Sequence, residues 1–481
     1  MKRIVQLCLM IGGISLFTCR PPIPPDSRPN VLMIVLDDLN DWIGCMGGHP
    51  QAHTPNLDRL ARMGTLFTNA HASATMCCPS RTSVFSGLRP TTTGVYKNTD
   101  TPLEVYRNRT LLHAHFREQG YYVAGAGKLL HRFYYEADQW DAFEAKHKGR
   151  DLIGHREDPT EETRTVISGN LTWGGYEAED SMTFDRATVD WVIDRLQEKR
   201  DQPFFLGCGI FRPHIPWFNP QRYVDLYPLE TLELPAYLEE DLSDVPPSGT
   251  FVAGSITNFT LDTDLHHSQN ADHQEILKKQ VWKEAVQAYL ASVSYADAQV
   301  GRLLDALETS EAAKNTIVVL WSDHGWHLGE KQHWRKGTLW EEVTRVPFML
   351  AGPGLPGNQR CGVPVSLLDL YPTLNELCGV AAEEELEGKS LVPQLNGPTQ
   401  PHDPILTSLG PESHSLRSET WRYISYGDGQ EELYDHQADP EEWHNLAGNP
   451  AYEQELETFR ERLPQSAAAP VKGPYNRKNE K

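Results

Sequence analysis

The apolar positions of this chain fall into short unbroken runs, separated by polar turns and by stretches with helical spacing. From Val31 to Leu36 every residue is apolar, after a polar start at Asn30. Such a run without alternation is the pattern of a strand covered on both faces, as in a parallel sheet. Tyr121–Ala126, Phe204–Gly207 and Thr316–Leu320 read in the same way. Thr54-Pro55-Asn56 opens a short helix that ends near Gly64, with Leu57, Leu60 and Ala61 at helical spacing. Val281 to Glu308 is a long amphipathic helix that leads towards the last of these strands. Strands and helices in alternation predict an α/β sandwich around a large, mostly parallel sheet. Ligands of such folds bind beyond the carboxyl ends of the strands.

The pattern changes after about Thr373. Residues 381–388 are acidic and alanine-rich, and Arg422–Tyr426, Gly427-Asp428-Gly429 and Glu432-Leu433-Tyr434 read as a hairpin. These features predict a main domain over 30–380, a smaller C-terminal α+β subdomain over 381–465, and a loose polar tail over 466–481. Residues 228–275 are loop-rich and acidic, which suggests an insertion that shapes the mouth of a site. No internal repeat is present.

Charge narrows the partners. The 481 residues carry 44 basic and 66 acidic side chains, a net charge of −22. That balance argues against nucleic acid and anionic membrane as general partners, though a locally cationic pocket for a small anion remains compatible with it. Lys2 and Arg3 precede a mostly apolar run from Ile4 to Phe17. The run is shorter than the roughly 20 residues that span a bilayer, so residues 1–19 read as an export signal. Leu16-Phe17-Thr18-Cys19 resembles a bacterial lipoprotein box with Cys19 as the lipidated residue; plain signal cleavage is the other reading. Residues 20–29 are proline-rich and suit a tether. The expected location is therefore the periplasm, or a lipid-anchored position on a membrane, of a bacterium. The eight cysteines show no paired metal-ligand spacing. A Cys361–Cys378 disulfide is possible but does not follow from sequence.

Three groups of residues carry chemistry. Asp37-Asp38 directly follows the first apolar strand. Adjacent carboxylates repel, so the pair calls for a cation or strong hydrogen bonding, and a hard divalent ion fits oxygen ligands. A turn or helix cap is the bland alternative. Trp321-Ser322-Asp323-His324-Gly325 follows a later strand in the same manner, so the two acidic strand ends can converge on one ion. Between them, Cys77-Cys78-Pro79-Ser80-Arg81 precedes Thr82-Ser83-Val84-Phe85-Ser86-Gly87. Pro79 suits the first turn of a helix, which would place Cys77 at a positive helix terminus.

The run C-x-P-S-R-x-x-x-x-S-G resembles the maturation signature of type I sulfatases. Gly127-Lys128-Leu129-Leu130-His131, Arg212-Pro213-His214-Ile215-Pro216 and Trp334-Arg335-Lys336 match further elements of that family, as do Val365–Thr373, Leu386–Leu391, Glu432–Asp435 and Asp439-Pro440. The resemblance spans about residues 28–450 and is closest to the iduronate-2-sulfatase-like branch. It implies an alkaline-phosphatase-like sandwich and a sulfuric ester hydrolase. Cys77 would be oxidised to formylglycine by a maturation enzyme. One Ca2+ would be held by Asp37, Asp38, Asp323, His324 and the oxygen at residue 77. Arg81 would hold that residue and the metal-side carboxylates, and Lys128 and Lys336 would bind sulfate oxygens, with Arg335 as the alternative to Lys336. Asp323 would take the proton of the attacking hydroxyl. His214 would protonate the leaving oxygen, and His131 would take the proton that releases sulfate.

The implied substrate is a sulfated carbohydrate, such as a fragment of ulvan, carrageenan, fucan or glycosaminoglycan. His414 and Arg417 of the C-terminal subdomain are candidates for substrate binding. Nothing in the sequence places an aromatic cage for the quaternary amine of choline sulfate. Two alternatives stay open at this point: a formylglycine-dependent phosphoester or phosphonate hydrolase, and a carbohydrate-binding protein that has lost catalysis.

Overall fold

The computed structural model describes residues 28–131, 136–145, 164–177, 179–254, 271–383 and 385–471. The predicted signal with Cys19, most of the tether and the tail beyond 471 lie outside the described residues.

The main body is built on a nine-stranded sheet. Eight strands run across it in the order Gln359–Cys361, Thr65–His71, Arg345–Ala351, Thr316–Ser322, Asn30–Asp37, Phe204–Pro213, Tyr122–Gly127 and Ala142–Glu144, and Val365–Ser366 also pairs with Thr65–His71. All pairings are parallel except those of Arg345–Ala351, which runs against both of its neighbours. The first strand is central: Ile34 lies between Cys208 and Leu320 in register.

Its side chains explain the missing alternation. Leu32, Ile34 and Leu36 pack under the helices Phe184–Gln197 and Trp282–Glu308. Val31, Met33 and Val35 pack on the opposite face, with Val84 and Phe85 of the helix Cys77–Ser86 and Leu374 of the helix Leu370–Cys378. All six strand side chains are fully buried, and each contributes roughly 1.5–3 kcal/mol relative to an exposed one.

The strand expected over Phe204–Gly207 runs on to Pro213. Buried Asp185 accepts the amides of Phe211 (2.7 Å) and Arg212 (3.1 Å), which replaces ladder partners at the far end. The strands Thr65–His71 and Arg345–Ala351 are additions to the sequence reading.

The C-terminal part is a four-stranded antiparallel sheet of Ile405–Ser408, His414–Arg417, Trp421–Ser425 and Glu431–Asp435. Tyr423 and Leu433 meet Leu456 and Phe459 of the helix Glu453–Arg460 on one face. Ile424, Tyr426 and Tyr434 meet Trp340, Val245 and Ala253 on the other. The acidic stretch from residue 228 to 254 therefore packs between the two parts; residues 255–270 lie outside the described residues. An isolated bridge from Ala74 to Ser408 joins the small sheet to the main body.

The six described cysteines are free thiols. Cys361 and Cys378 are not joined: the Cys361 thiol donates to the Pro398 carbonyl (3.3 Å), and Cys378 pairs with Tyr121. Among the described residues no helix is long and apolar enough to cross a membrane.

Candidate active site

Four neighbouring parallel strands deliver polar residues from their carboxyl ends to one place. Tyr122–Gly127 is followed by Lys128, Phe204–Pro213 by His214, Asn30–Asp37 by Asp38, and Thr316–Ser322 by Asp323 and His324. The helix Cys77–Ser86 begins at the same end. Met76 is extended, Cys77 is the first helical residue, and Pro79 lies in the first turn, where its missing N–H costs nothing. The helix closes on Gly87 at φ 70, where a Cβ would fall 2.3 Å from Leu386.

Cys77 is wholly buried. Its Sγ lies 2.9 Å from Lys336 Nζ, 3.4 Å from His324 Nε2 and 3.7 Å from Lys128 Nζ, and His131 hydrogen-bonds to it. Burial alone would push the thiol up, but Lys128, Lys336, His324 and the bond from His131 hold it well below the ordinary cysteine range. The pocket is therefore tuned to stabilise negative charge at residue 77.

Arg81 sits one turn along the helix and organises the floor. Its Nε donates to Asp323 (2.7 Å), one terminal nitrogen to Asp37 (3.1 Å), and the other to the carbonyls of Lys128 and Leu129. Gly127 makes this turn possible: its φ is 72, and a Cβ would meet the Gly209 carbonyl at 2.2 Å. Lys128 pairs with Asp37, and Lys336 lies 2.6 Å from Asp38. Asp38 is left-handed at φ 66. Its amide donates to Asp323 (3.1 Å), and its carbonyl accepts from the Tyr289 hydroxyl (2.9 Å). Those two bonds hold a conformation that a non-glycine residue rarely adopts.

Burial would push Asp37 up, yet Lys128, with His214 and Arg81, holds it well below the carboxylate range. Burial pushes Asp323 up to about 6 against the pull of Arg81 and His324. Burial opposes the charge on His324, but Asp323 raises it. Lys336 is raised in the same way by Asp38 and the group at residue 77.

The donor set fits a hard divalent cation. Ligand atoms of Asp38, Cys77 and His324, and of Asp37, Cys77 and Asp323, lie within 4.8 Å of one another. Asp38 Oδ2 is buried and has no hydrogen-bond partner among the described residues. An orphaned carboxylate oxygen inside a protein needs a positive neighbour. His214 is the one member of the group that reaches towards solvent, its side chain 19% exposed. Its Nε2 lies 3.8 Å from Asp38 Oδ2, and its Nδ1 bonds to the Ile215 carbonyl.

The structure brings together Asp37, Asp38, Cys77, Arg81, Lys128, His131, His214, Asp323, His324 and Lys336. Between Lys336 and Arg335 the choice falls on Lys336, since Arg335 turns away to Asp272 (2.7 Å). His414 and Arg417 require correction. Arg417 is buried in an ion pair with Glu341 (3.1 Å), and the His414 ring nitrogens face Ser408 Oγ (3.0 Å) and the Pro411 carbonyl (3.2 Å). Arg417 is consumed by the joint between the two sheets, and His414 by bonds within the small sheet. Sequence reasoning missed Asn98, which accepts the Cys78 amide (2.8 Å) and lies 4.0 Å from Cys77 Sγ. A single asparagine in a loop carries no pattern that would reveal it.

Residues 29–380 match the family model described as Sulfatase, and residues 329–469 match the one described as N-sulphoglucosamine sulphohydrolase, C-terminal. A sulfatase of Formosa agariphila is 38% identical over 95% of this chain and 92% of its own length. A choline-sulfatase of Rhizobium meliloti is 31% identical over 88% of this chain and 83% of its own. Iduronate 2-sulfatase of Mus musculus is 30% identical over 78% and 70%. Among solved structures, the phosphonate monoester hydrolase of Agrobacterium radiobacter superposes with a TM-score of 0.73 at 22% identity, over 91% of this chain and 95% of that one. A 2-O GAG sulfatase superposes at 0.68 and 22%, over 94% and 100%. The shared architecture is the alkaline-phosphatase-like sandwich.

Proposed function

Since the chain belongs to the type I sulfatase family, we propose that it hydrolyses sulfate monoesters on sulfated carbohydrates, with residue 77 as formylglycine and Ca2+ as the metal. Formylglycine would supply a hydrated aldehyde as nucleophile, and a cation held by Asp37, Asp38, Asp323 and His324 would supply charge neutralisation at the sulfate. The Cys77 Sγ marks where the oxygens of that residue would lie.

The other groups act around that point. Lys128 and Lys336 bring two ammonium groups within 3.7 and 2.9 Å of Sγ, where they bind the anionic oxygens of the ester and of the transition state. Arg81 fixes Asp37 and Asp323 rather than facing solvent. Asp323 accepts a proton at the residue 77 oxygen, and His131, bonded to the same residue, accepts the second one that frees sulfate. His214 stands at the open side and donates to the departing oxygen. A sugar alkoxide is a poor leaving group, so this proton matters most for natural substrates.

The observation that carries the reading is the burial of one cysteine among two lysines, two histidines and the arginine-bound carboxylates, with a carboxylate oxygen left for a cation. Likeness to iduronate 2-sulfatase supports a sulfated sugar as substrate, among fragments of ulvan, carrageenan, fucan or glycosaminoglycan. Residues 1–19 support export, with Cys19 as the point of a lipid anchor or simply the end of a cleaved signal. The test is expression with and without a formylglycine-generating enzyme. Mass spectrometry of the Cys77 peptide should show the aldehyde only in the first case, together with sulfate release from defined oligosaccharides. Turnover by the unmodified thiol form, or preference for phosphate or phosphonate esters over sulfate, would overturn the reading.

A further inference from the structure

Lys336 reaches the site from an unusual stretch of backbone. Between Gly329 and Gly337, five residues have positive φ: Gly329 (124), Lys331 (52), Gln332 (50), Arg335 (92) and Gly337 (84). Three of these are not glycine, so the conformation must be imposed from outside. Most of the imposing contacts come from residues 239–253 and 272–273. Lys331 pairs with Asp241 (2.6 Å), Gln332 donates to the Glu239 carbonyl (2.7 Å), and His333 Nδ1 bonds to the Ala253 carbonyl (2.7 Å). Trp334 donates to His273 Nδ1 (3.1 Å), and Arg335 binds Asp272 Oδ2 (2.7 Å) and Ser168 (2.8 and 2.9 Å). Each of the five consecutive side chains 331–335 thus has a partner among Glu239, Asp241, Ala253, Asp272 and His273, and the sixth, Lys336, turns the other way, onto Cys77 and Asp38.

We propose that the residues holding this loop, and the Arg335–Asp272 pair above all, form a positioning element that sets the place of Lys336 in the anion pocket. Arg335 and Asp272 touch no reacting atom. They act by holding the residue before Lys336 left-handed; an extended Arg335 would aim the next side chain elsewhere. Lys331–Asp241, itself buried against Trp340 and Tyr434, anchors the other end of the loop. The inference rests on Lys336 as a sulfate ligand, and so on the proposed function.

The experiment is a double-mutant cycle between Asp272→Ala and Lys336→Ala, read two ways. Hydrolysis of an activated aryl sulfate gives kcat/KM, and calorimetry gives the affinity for inorganic sulfate. Alone, D272A is expected to lower kcat/KM about 10- to 100-fold, mostly through KM, and to weaken sulfate binding by a similar factor, with formylglycine content at residue 77 unchanged. Added to K336A, it should change either quantity by less than about twofold. Equal losses in both backgrounds, or no loss from D272A alone, would overturn the proposal. If D272A does not fold, D272N goes through the same cycle with the same criteria. Sulfate affinity needs no turnover, so a chain inactive on every sulfate ester sinks the functional reading while the cycle still decides this one.

Discussion

Around Cys77 and around Arg422 the chain buries groups of charged side chains. Arg422 donates to Glu341 and Glu442, to the Leu339 carbonyl (3.0 Å), to Ser415 (2.7 Å) and to Thr344 (2.8 Å). Arg417 shares Glu341, and His436 lies 2.8 Å from Glu442. There the two carboxylates meet arginine, and the cluster ties the small sheet to the main one. Around Cys77 the accounts are left open. One oxygen of Asp38 has no hydrogen-bond partner among the described residues, the thiol collects two lysines and two histidines, and His214 leads out to solvent. Glu341, His436 and Glu442 have metal-like spacing too, yet their arginines already supply the positive charge. A closed cluster holds a joint; an open one waits for a ligand.

The contrast can be broken by substitution. Cys77→Ala should abolish sulfate release, on the order of 10^4-fold or more, without unfolding the chain; activity and a melting curve on one sample check both. His214→Ala should cut kcat by about 10^2 to 10^4 on sugar sulfates and far less on aryl sulfates with good leaving groups, which a comparison of the two substrate series reveals. Arg422→Met should take from two buried carboxylates the arginine they share and cost about 3–5 kcal/mol in urea unfolding, while folded protein keeps its kcat.

Milder changes sharpen the same line. Stripping divalent cations should lower the melting point, and Ca2+ at about 100 times its Kd should restore about 2.7 kcal/mol. Asp38→Asn should lose that response, and Arg422→Met should keep it. Acid gives the smallest effect. Burial would raise Glu341, but Arg417, His436 and Arg422 hold it well below its usual 4.5. A depressed carboxyl contributes stability that is complete above its unfolded pKa and is lost as pH falls through the folded one. Denaturant midpoints should therefore fall with acidification below about pH 4.5, and less steeply in Glu341→Gln.

Much of the site was legible because strand ends and short motifs are local. Asp37-Asp38 and Asp323-His324 each follow an apolar run, so a parallel sheet had to bring them to one edge. The sequence pointed to Lys336 but left Arg335 open beside it, because the contact that turns Arg335 away is to Asp272, far off in the chain. Arg417 and His414 were misjudged for a related reason. A polar residue in a small subdomain looks available until the strand pairing that buries it is known. The strand Arg345–Ala351 escaped because its proline and arginine interrupt the apolar pattern, although Thr316–Ser322 and Thr65–His71 close over both of its edges.

The complete burial of Cys77 has a consequence in time. Once the sheet and the helix Cys77–Ser86 are assembled, no other protein can close its own active site around that thiol. If residue 77 is converted as proposed, the enzyme that does it would have to meet the chain while it is still an extended ribbon. Folding would then act as a deadline: on the proposed chemistry, a molecule that folds first would keep its sulfur and stay outside the working pool.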